Sequence, residues 1–256
     1  MITEAEGIVL RQTKITGGRR MLVMLTDRYG KISAGTSQRE RSRKRSDLAM
    51  RPFTHGRYEL YKKGAYFNIN SGEVVESYYD LGEDIDRYMH AGFCLELTDK
   101  ILAENVPAPA VFHDLAGFLA AMNRRRKKFE TLVVAYEIKV LRQLGYMPDL
   151  SSCVSCGSRK EPLYFSVESG GLLCRECLDK QAEEPEKRGK DVKDRLIYDI
   201  DFGIVNVVKF LERTPFAKLE RLAMQEQLTT RIQAMMQAYI KYYFDIRAFR
   251  SESLQW

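Results

Sequence analysis

Apolar residues change period once along the chain, near position 80. Before it, apolar runs are short and separated by turn chemistry. Ile8-Val9-Leu10 and Met21-Leu22-Val23-Met24-Leu25 flank Thr16-Gly17-Gly18, and Asp27-Arg28-Tyr29-Gly30 stands between the second run and Lys31 to Thr36. Runs of that kind, bounded by Gly and Asp, predict strands joined by tight turns. Arg57 to Lys62 and Tyr66 to Asn70, joined by Lys63-Gly64-Ala65, alternate or are rich in aromatic residues and predict two more strands. Five short strands over residues 1–80 predict a small closed or nearly closed β-barrel, an OB-fold first and an SH3-like barrel as the alternative.

After Glu83 the period is helical. Ile85, Tyr88, Leu95, Thr98 and Leu102 predict one face of a first helix, with Pro107 and Pro109 beyond its end, and Val111 to Met122 predicts a second. Glu83, Asp84 and Asp86 sit where carboxylates complement a helix N-terminus. Phe129, Leu132, Val133, Tyr136, Val140 and Leu144 form an amphipathic stripe that ends at Gly145, a C-cap residue, with Pro148 just beyond. Helices resume near Asp199 to Arg213. A last long one carries Leu228, Ile232, Met235, Tyr239, Tyr243 and Ile246, read as core, with a partner-helix face as the alternative. The expected architecture is α+β and multidomain. A barrel over 1–80 is followed by a helical domain over 81–256 that carries an inserted cysteine module at about 150–180.

That module holds Cys153, Cys156, Cys174 and Cys177, a C-x2-C-x17-C-x2-C array in a chain with only one other cysteine, Cys94. Two residues between thiolates let both sulfurs of a pair face one ion, and the second pair completes a tetrahedron, so the spacing predicts zinc. Gly157, Gly170 and Gly171 supply the permissive backbone such turns need, and Leu163 to Val167 with Leu172-Leu173 predict a hairpin between the pairs. Four thiolates close the shell, which implies a structural and not a catalytic ion. Two disulfides or two redox pairs are the alternatives. Neither suits a chain whose amino end has no basic or apolar leader segment, and the cytoplasm is the expected compartment. Cys94 is expected to be a small buried hydrophobe.

Charge narrows the picture. Residues 1–80 hold 15 Lys/Arg against 9 Asp/Glu, and residues 81–256 hold 26 against 26, so the whole excess of +6 lies on the barrel. A local excess implies a polyanionic partner. Arg39, Arg41, Arg43, Lys44 and Arg45 form a basic arm without apolar periodicity, placed to track a phosphate backbone; Arg11, Lys14, Arg19, Arg20, Lys31 and Arg57 could extend the track. The alternative is a solvated loop. Most of the aromatics at Tyr29, Phe53, Tyr58, Tyr61, Tyr66 and Phe67 are expected in the core, although bases could stack on those left exposed. Arg124, Arg125 and Arg126, with Lys127 and Lys128, read as an exposed connection between helices or as a site for an acidic, hydrophobic peptide tail. There is no phosphate loop, no G-x-S-x-G elbow and no H-E-x-x-H.

Several pieces in order resemble the bacterial RecO family. They are Glu6-Gly7-Ile8-Val9-Leu10-Arg11, Leu25 to Lys31, the arm leading into Pro52-Phe53, Leu144-Gly145-Tyr146-Met147-Pro148, Cys153-x-x-Cys156-Gly157, Phe165-Ser166, Gly170 to Cys174 with Cys177, and Arg247-Ala248-Phe249-Arg250-Ser251. The turn at Ile15-Thr16-Gly17-Gly18 departs from that family's commoner acidic and polar turn. The resemblance implies an N-terminal OB-fold, a helical C-terminal domain with structural Zn2+, and no enzymatic activity. It also implies a nucleoid-associated recombination mediator that binds single- and double-stranded DNA and anneals complementary strands. The partners implied are RecR and the single-strand-binding protein, through its acidic C-terminal tail, in loading RecA. A zinc-stabilised scaffold for RNA or protein is the competing reading, and an enzyme with an unrecognised carboxylate site a further one.

Overall fold

The computed structural model describes residues 1–15, 19–36, 48–160, 163–182 and 196–250. Its first strand, β1 (Ile2–Ile15), runs far beyond the apolar triplet at its centre because it serves two neighbours. One half pairs antiparallel with β4 (Thr54–Lys63), from Ile2↔Tyr61 to Ile8↔His55; the other pairs with β2 (Arg19–Thr26), from Gly7↔Thr26 to Ile15↔Arg19. The register shifts between Val9 and Arg11, where an extra residue lets the strand turn a barrel corner. β2 pairs with β3 (Gly30–Thr36), and β4 with β5 (Tyr66–Ser77). A short parallel step, Ala34↔Phe67 and Gly35↔Asn68, joins β3 to β5 and closes the barrel in the order β1-β2-β3-β5-β4. The barrel is an OB-fold, as expected.

Alternation fills its interior with Val9, Leu22, Met24, Ile32, Ala34, Leu60, Phe67 and Ile69 around Tyr58, whose hydroxyl donates to Ala49 O at 2.5 Å. Burial pushes the Tyr58 phenol far above its ordinary range, so it stays a neutral donor. On the other side, α1 (Ile85–Ile101) packs on β1 and α2 (Pro109–Arg124) on β1 and β2, which buries Ile8, Val23 and Leu25 as well. Gly30 ends the predicted turn at φ +67°, and a Cβ there would lie 1.8 Å from Val106 O, so no other residue fits.

The chain forms two compact units. One comprises Met1–Tyr136 with Pro215–Leu222 and Phe249 onward; the other comprises Glu137–Thr214 and Ala223–Ala248. In the first, Asp84 caps α1 by accepting from Arg87 N at 3.0 Å. The buried face of α1 differs from the predicted one. It runs through Arg87, Ala91, Cys94, Thr98 and Ile101, and although Leu95 and Leu102 are buried, Ile85 is 70% and Tyr88 45% exposed. The cause is Arg87, a residue that reads as polar and yet is fully buried, donating to Asp80 O at 2.5 Å and Asn123 O at 3.1 Å. Cys94 is buried as expected. Thr98 Oγ1 donates to Cys94 O at 2.7 Å and accepts from the Tyr136 hydroxyl at 2.5 Å.

The predicted stripe from Phe129 forms α3 (Glu130–Leu144), which contributes residues to both units. It ends as Gly145 foretold, at φ +76°, with Tyr146 N donating to Leu141 O at 2.9 Å and Gly145 N to Arg142 O at 3.1 Å. These two bonds are a Schellman cap. In the second unit, β6 (Asp149–Cys153), β7 (Leu163–Ser166), β8 (Gly171–Cys174) and β9 (Ile197–Ile200) form a sheet in the order β6-β8-β7-β9. β7 and β8 are the expected hairpin. β9 corrects the expectation that a helix begins near Asp199. Four residues are too few to display a period of two, and the helix α5 (Phe202–Arg213) starts only after Asp201, which accepts from Ile204 N at 2.9 Å.

α4 (Arg175–Ala182) follows β8 directly, and residues 183–195 lie outside the described residues. A short helix, α6 (Phe216–Leu219), belongs to the first unit. α7 (Glu226–Tyr243) carries the last stripe inward: Ile232, Met235 and Tyr239 are buried, and Tyr239 meets Phe165 at 5.8 Å. Among the described residues no helix is long and apolar enough to cross a membrane.

Candidate metal centre and nucleic-acid interface

Each C-x-x-C pair sits at the end of a strand. β6 delivers Cys153 and the following turn brings Cys156; β8 delivers Cys174, and Cys177 lies in the first turn of α4. The first turn is closed by Cys153 N donating to Ser158 O and Gly157 N to Cys153 O, both at 2.8 Å, with Gly157 at φ +74°. All four sulfurs lie within 4.8 Å of one another, and Cys156 Sγ stands 3.7 Å from Cys174 Sγ. A tetrahedral shell with Zn–S of about 2.3 Å separates its sulfurs by about 3.8 Å. The cysteines are free thiols, and three of the four ligands are buried.

Their acidities fit a cation. Burial opposes ionisation of Cys153, but backbone N–H groups of Cys174, Cys156 and Ser155 outweigh it and lower the thiol to about 6. Cys156 receives a backbone N–H from Ser158, yet sharing with the sulfurs of Cys177, Cys153 and Cys174 pushes it up to about 12. Cys153 therefore ionises more readily than Cys156, and a cation entering the cluster would favour the thiolate form of Cys156 and Cys174, whose acidities are both weakened. The cluster can hold a metal. With four thiolates there is no open position for a reacting water.

The barrel carries the second candidate site, and the structure sorts its predicted cations. Arg11 Nε holds Asp99 Oδ2 at 2.6 Å. Lys31, 8% exposed, reaches the same carboxylate at 3.4 Å and also donates to Asp99 O. Arg57 Nη2 holds Glu6 Oε1 at 3.1 Å, and this bond, with His55 on the other oxygen, keeps the Glu6 carboxyl below its usual range against the opposing effect of burial. Those three are partnered within the fold. Lys14, Arg19 and Arg20 gather at the end of the β1–β2 pair, where Lys14 faces Arg20 and Ile15 faces Arg19.

There a cleft of about 600 Å³ is lined by Ile15, Arg19, Arg20, Gly35, Thr36 and Asn68, with Met21, Ile69 and Asn70. Lys14 and Arg19 are exposed; Arg20 is only 2% exposed. Arg39, Arg41, Arg43, Lys44 and Arg45 lie outside the described residues. The cleft was not foreseen as such. Its signal was the alternation Phe67-Asn68-Ile69-Asn70 in β5, which sends two apolar side chains inward and two amides outward. Of the six barrel aromatics, Phe53, Tyr58 and Phe67 are buried and Tyr29 packs on the core, while Tyr61 and Tyr66 are 42% and 78% exposed.

The basic group after α2 divides as well. Arg125 is 5% exposed and donates to Lys127 O at 2.8 Å and to Leu219 O and Glu220 O at 3.1 Å each, while Arg124 Nε holds Glu220 Oε2 at 2.7 Å. Arg125 thus fastens α6 to the end of α2. Arg126 is exposed.

Comparison with known families agrees with this layout. The model described as "Recombination protein O N terminal" matches residues 1–78, and "Recombination protein O C terminal" matches 82–252. The chain belongs to the RecO family. It is 27% identical over 252 residues to the DNA repair protein RecO of Alkaliphilus metalliredigens, covering 98% of this chain and 97% of that one. The DNA repair protein RecO of Exiguobacterium sibiricum is 33% identical over 177 residues, 68% of this chain and 70% of that one. That of Thermoanaerobacter sp. is 26% identical over 251 residues, 98% and 96%. This is a DNA repair family, and this chain carries an OB barrel and a cluster of four cysteines that can hold a metal.

Proposed function

We propose that this RecO-family protein is a recombination mediator that binds single- and double-stranded DNA on its barrel and anneals complementary single strands. It does so without nucleotide hydrolysis, in the cytoplasm at the nucleoid. RecR and the single-strand-binding protein, engaged by its acidic tail, are its partners in loading RecA. Zn2+ at Cys153, Cys156, Cys174 and Cys177 is structural: it supplies the positive charge that ionises four thiolates and fastens β6, β8 and α4 to one point. The observation that carries the reading is the basic end of the OB barrel, where Lys14 and Arg19 are exposed and Arg19 lines a polar cleft with Thr36, Asn68 and Asn70.

Annealing requires two polyanions brought together without either being locked into a sequence-reading site. Lysine and arginine at a barrel mouth offset strand repulsion through phosphate contacts and leave base edges free to pair. Arg39, Arg41, Arg43, Lys44 and Arg45 form the electrostatic clamp, and Arg19 and Lys14 continue it onto the barrel. Replacing the five arm cations with alanine is expected to weaken DNA binding and to flatten its dependence on salt, each lost single-strand phosphate contact reducing the log–log slope by about 0.7. An unchanged slope would falsify the clamp.

A further inference from the structure

A second cleft, of about 380 Å³, opens elsewhere in the same unit as the barrel. Phe53 and Tyr78 form its floor, and Arg51, Tyr79, Glu83 and Tyr88 stand around it. The floor is buried, at 8% and 5% exposure, whereas Tyr79 is 67% and Tyr88 45% exposed, with Ile85 beside them at 70%. Single exposed aromatics are ordinary. Here two rise from one rim, and the backbones that carry them are fixed. Arg87 grips Asp80 O beside Tyr79, Leu81 N donates to Tyr78 O at 3.1 Å, and Tyr88 N donates to Asp84 O at 2.9 Å in the capped first turn of α1. Phe53 holds φ +66°, a region bulky residues rarely enter, and its N–H is tied to Val9 O at 3.1 Å. Its ring meets Tyr88 at 5.2 Å, tilted by 58°. A residue kept in such a conformation by its surroundings is a recurring mark of ligand sites.

We propose that this cleft receives one unpaired nucleobase of single-stranded DNA, stacked on Tyr79 and Tyr88 above Phe53. The proposal rests on the DNA-binding reading given above. Base-on-aromatic stacking is how proteins hold single strands without reading sequence, because every base has a π-face. The charges divide the nucleotide between two sides. Arg51 closes the Arg39–Arg51 basic run and stands where a phosphate would lie, while Glu83 presents an acceptor to an exocyclic amine such as cytosine N4. Asp80, Asp84 and Asp86 lie near Glu83 at the helix start and would repel an acidic peptide and a phosphate alike, so the base enters with its phosphate on the Arg51 side. The site is therefore specific for single strands, since a paired base cannot enter, and favours cytosine over thymine, which has no exocyclic amine.

The test is fluorescence anisotropy with labelled oligo-dC, oligo-dT and a duplex of the same length, using the full chain and the double variant Tyr79→Ala, Tyr88→Ala across salt. Loss of one stacked base is expected to weaken oligo-dC binding about tenfold. The salt slope should stay parallel to wild type, because no phosphate contact is removed, and duplex affinity should not change. Tyr79→Phe with Tyr88→Phe should bind as wild type, and Glu83→Ala should erase the preference for oligo-dC over oligo-dT. Wild-type binding with no loss in the alanine double variant overturns the base site and leaves the DNA-binding reading standing, as does an equal loss on duplex. Absence of salt-dependent DNA binding by the wild type overturns both.

Discussion

Replacing Lys14 and Arg19 together with alanine compares two exposed cations at the cleft end of the barrel with two that grip a carboxylate across the fold. Both are exposed at the end of β1 and β2, and Arg19 lines the polar cleft. If each contacts one phosphate of a single strand, removing both lowers the log–log salt slope by about 1.4. Between about 50 and 200 mM salt the wild-type advantage should then shrink about sevenfold. The matched control is Arg11→Ala with Arg57→Ala, a pair of equal charge whose guanidiniums hold Asp99 at 2.6 Å and Glu6 at 3.1 Å. Those contacts must be released before either arginine can meet a phosphate, so the control slope should move much less. The assay is anisotropy titration with a single-stranded oligonucleotide at several salt concentrations. A control that flattens the slope as much as the Lys14 and Arg19 pair would refute the division of barrel cations drawn from the structure.

Two further outcomes follow from the second unit. Glu137 is fully buried, its carboxylate oxygens have no hydrogen-bond partner of good geometry, and burial raises it from 4.5 to about 8, with Gln237 only partly opposing. The folded state holds that proton where the unfolded state has lost it, so this contribution is complete below about 4.5 and is lost as pH rises toward 8, by an upper bound of about 5 kcal/mol. Relative to Glu137→Gln, the wild type should lose about 2 kcal/mol in urea unfolding between pH 6 and pH 8; parallel pH profiles would contradict it. Chelation of the proposed Zn2+, or Cys174→Ser, should raise hydrogen exchange across residues 149–178 and leave barrel amides unchanged. Faster exchange throughout the barrel would show that the ion supports more than its own sheet.

Where one local signal decided the structure, it was legible in the sequence. Gly30 and Gly145 marked turns that need positive φ, the stripe from Phe129 to Leu144 marked a helix, and the cysteine spacing marked a cluster of four sulfurs before any geometry was known. What stayed hidden depended on partners distant in sequence. Arg11, Lys31, Arg57 and Arg125 look like any other cation in a string of letters; only folding brings Asp99, Glu6 and the carbonyls of Leu219 and Glu220 to them. Arg87 rotated the buried face of α1 away from Ile85 and Tyr88 for the same reason, since a buried guanidinium whose two terminal nitrogens donate to Asp80 O and Asn123 O reads as solvent-facing. The exposed rim that results is the one proposed to hold a base.

Annealing itself is the most direct test of the proposed function. Two complementary oligonucleotides, one carrying a fluorophore and the other a quencher, are mixed with and without the protein over a range of salt, with no nucleotide present. The protein should accelerate pairing, the acceleration should fall as salt rises, and the five-alanine arm variant should lose most of it. Pairing at the spontaneous rate in the presence of wild-type protein that demonstrably binds the strands would contradict a mediator that works by bringing two phosphate backbones together.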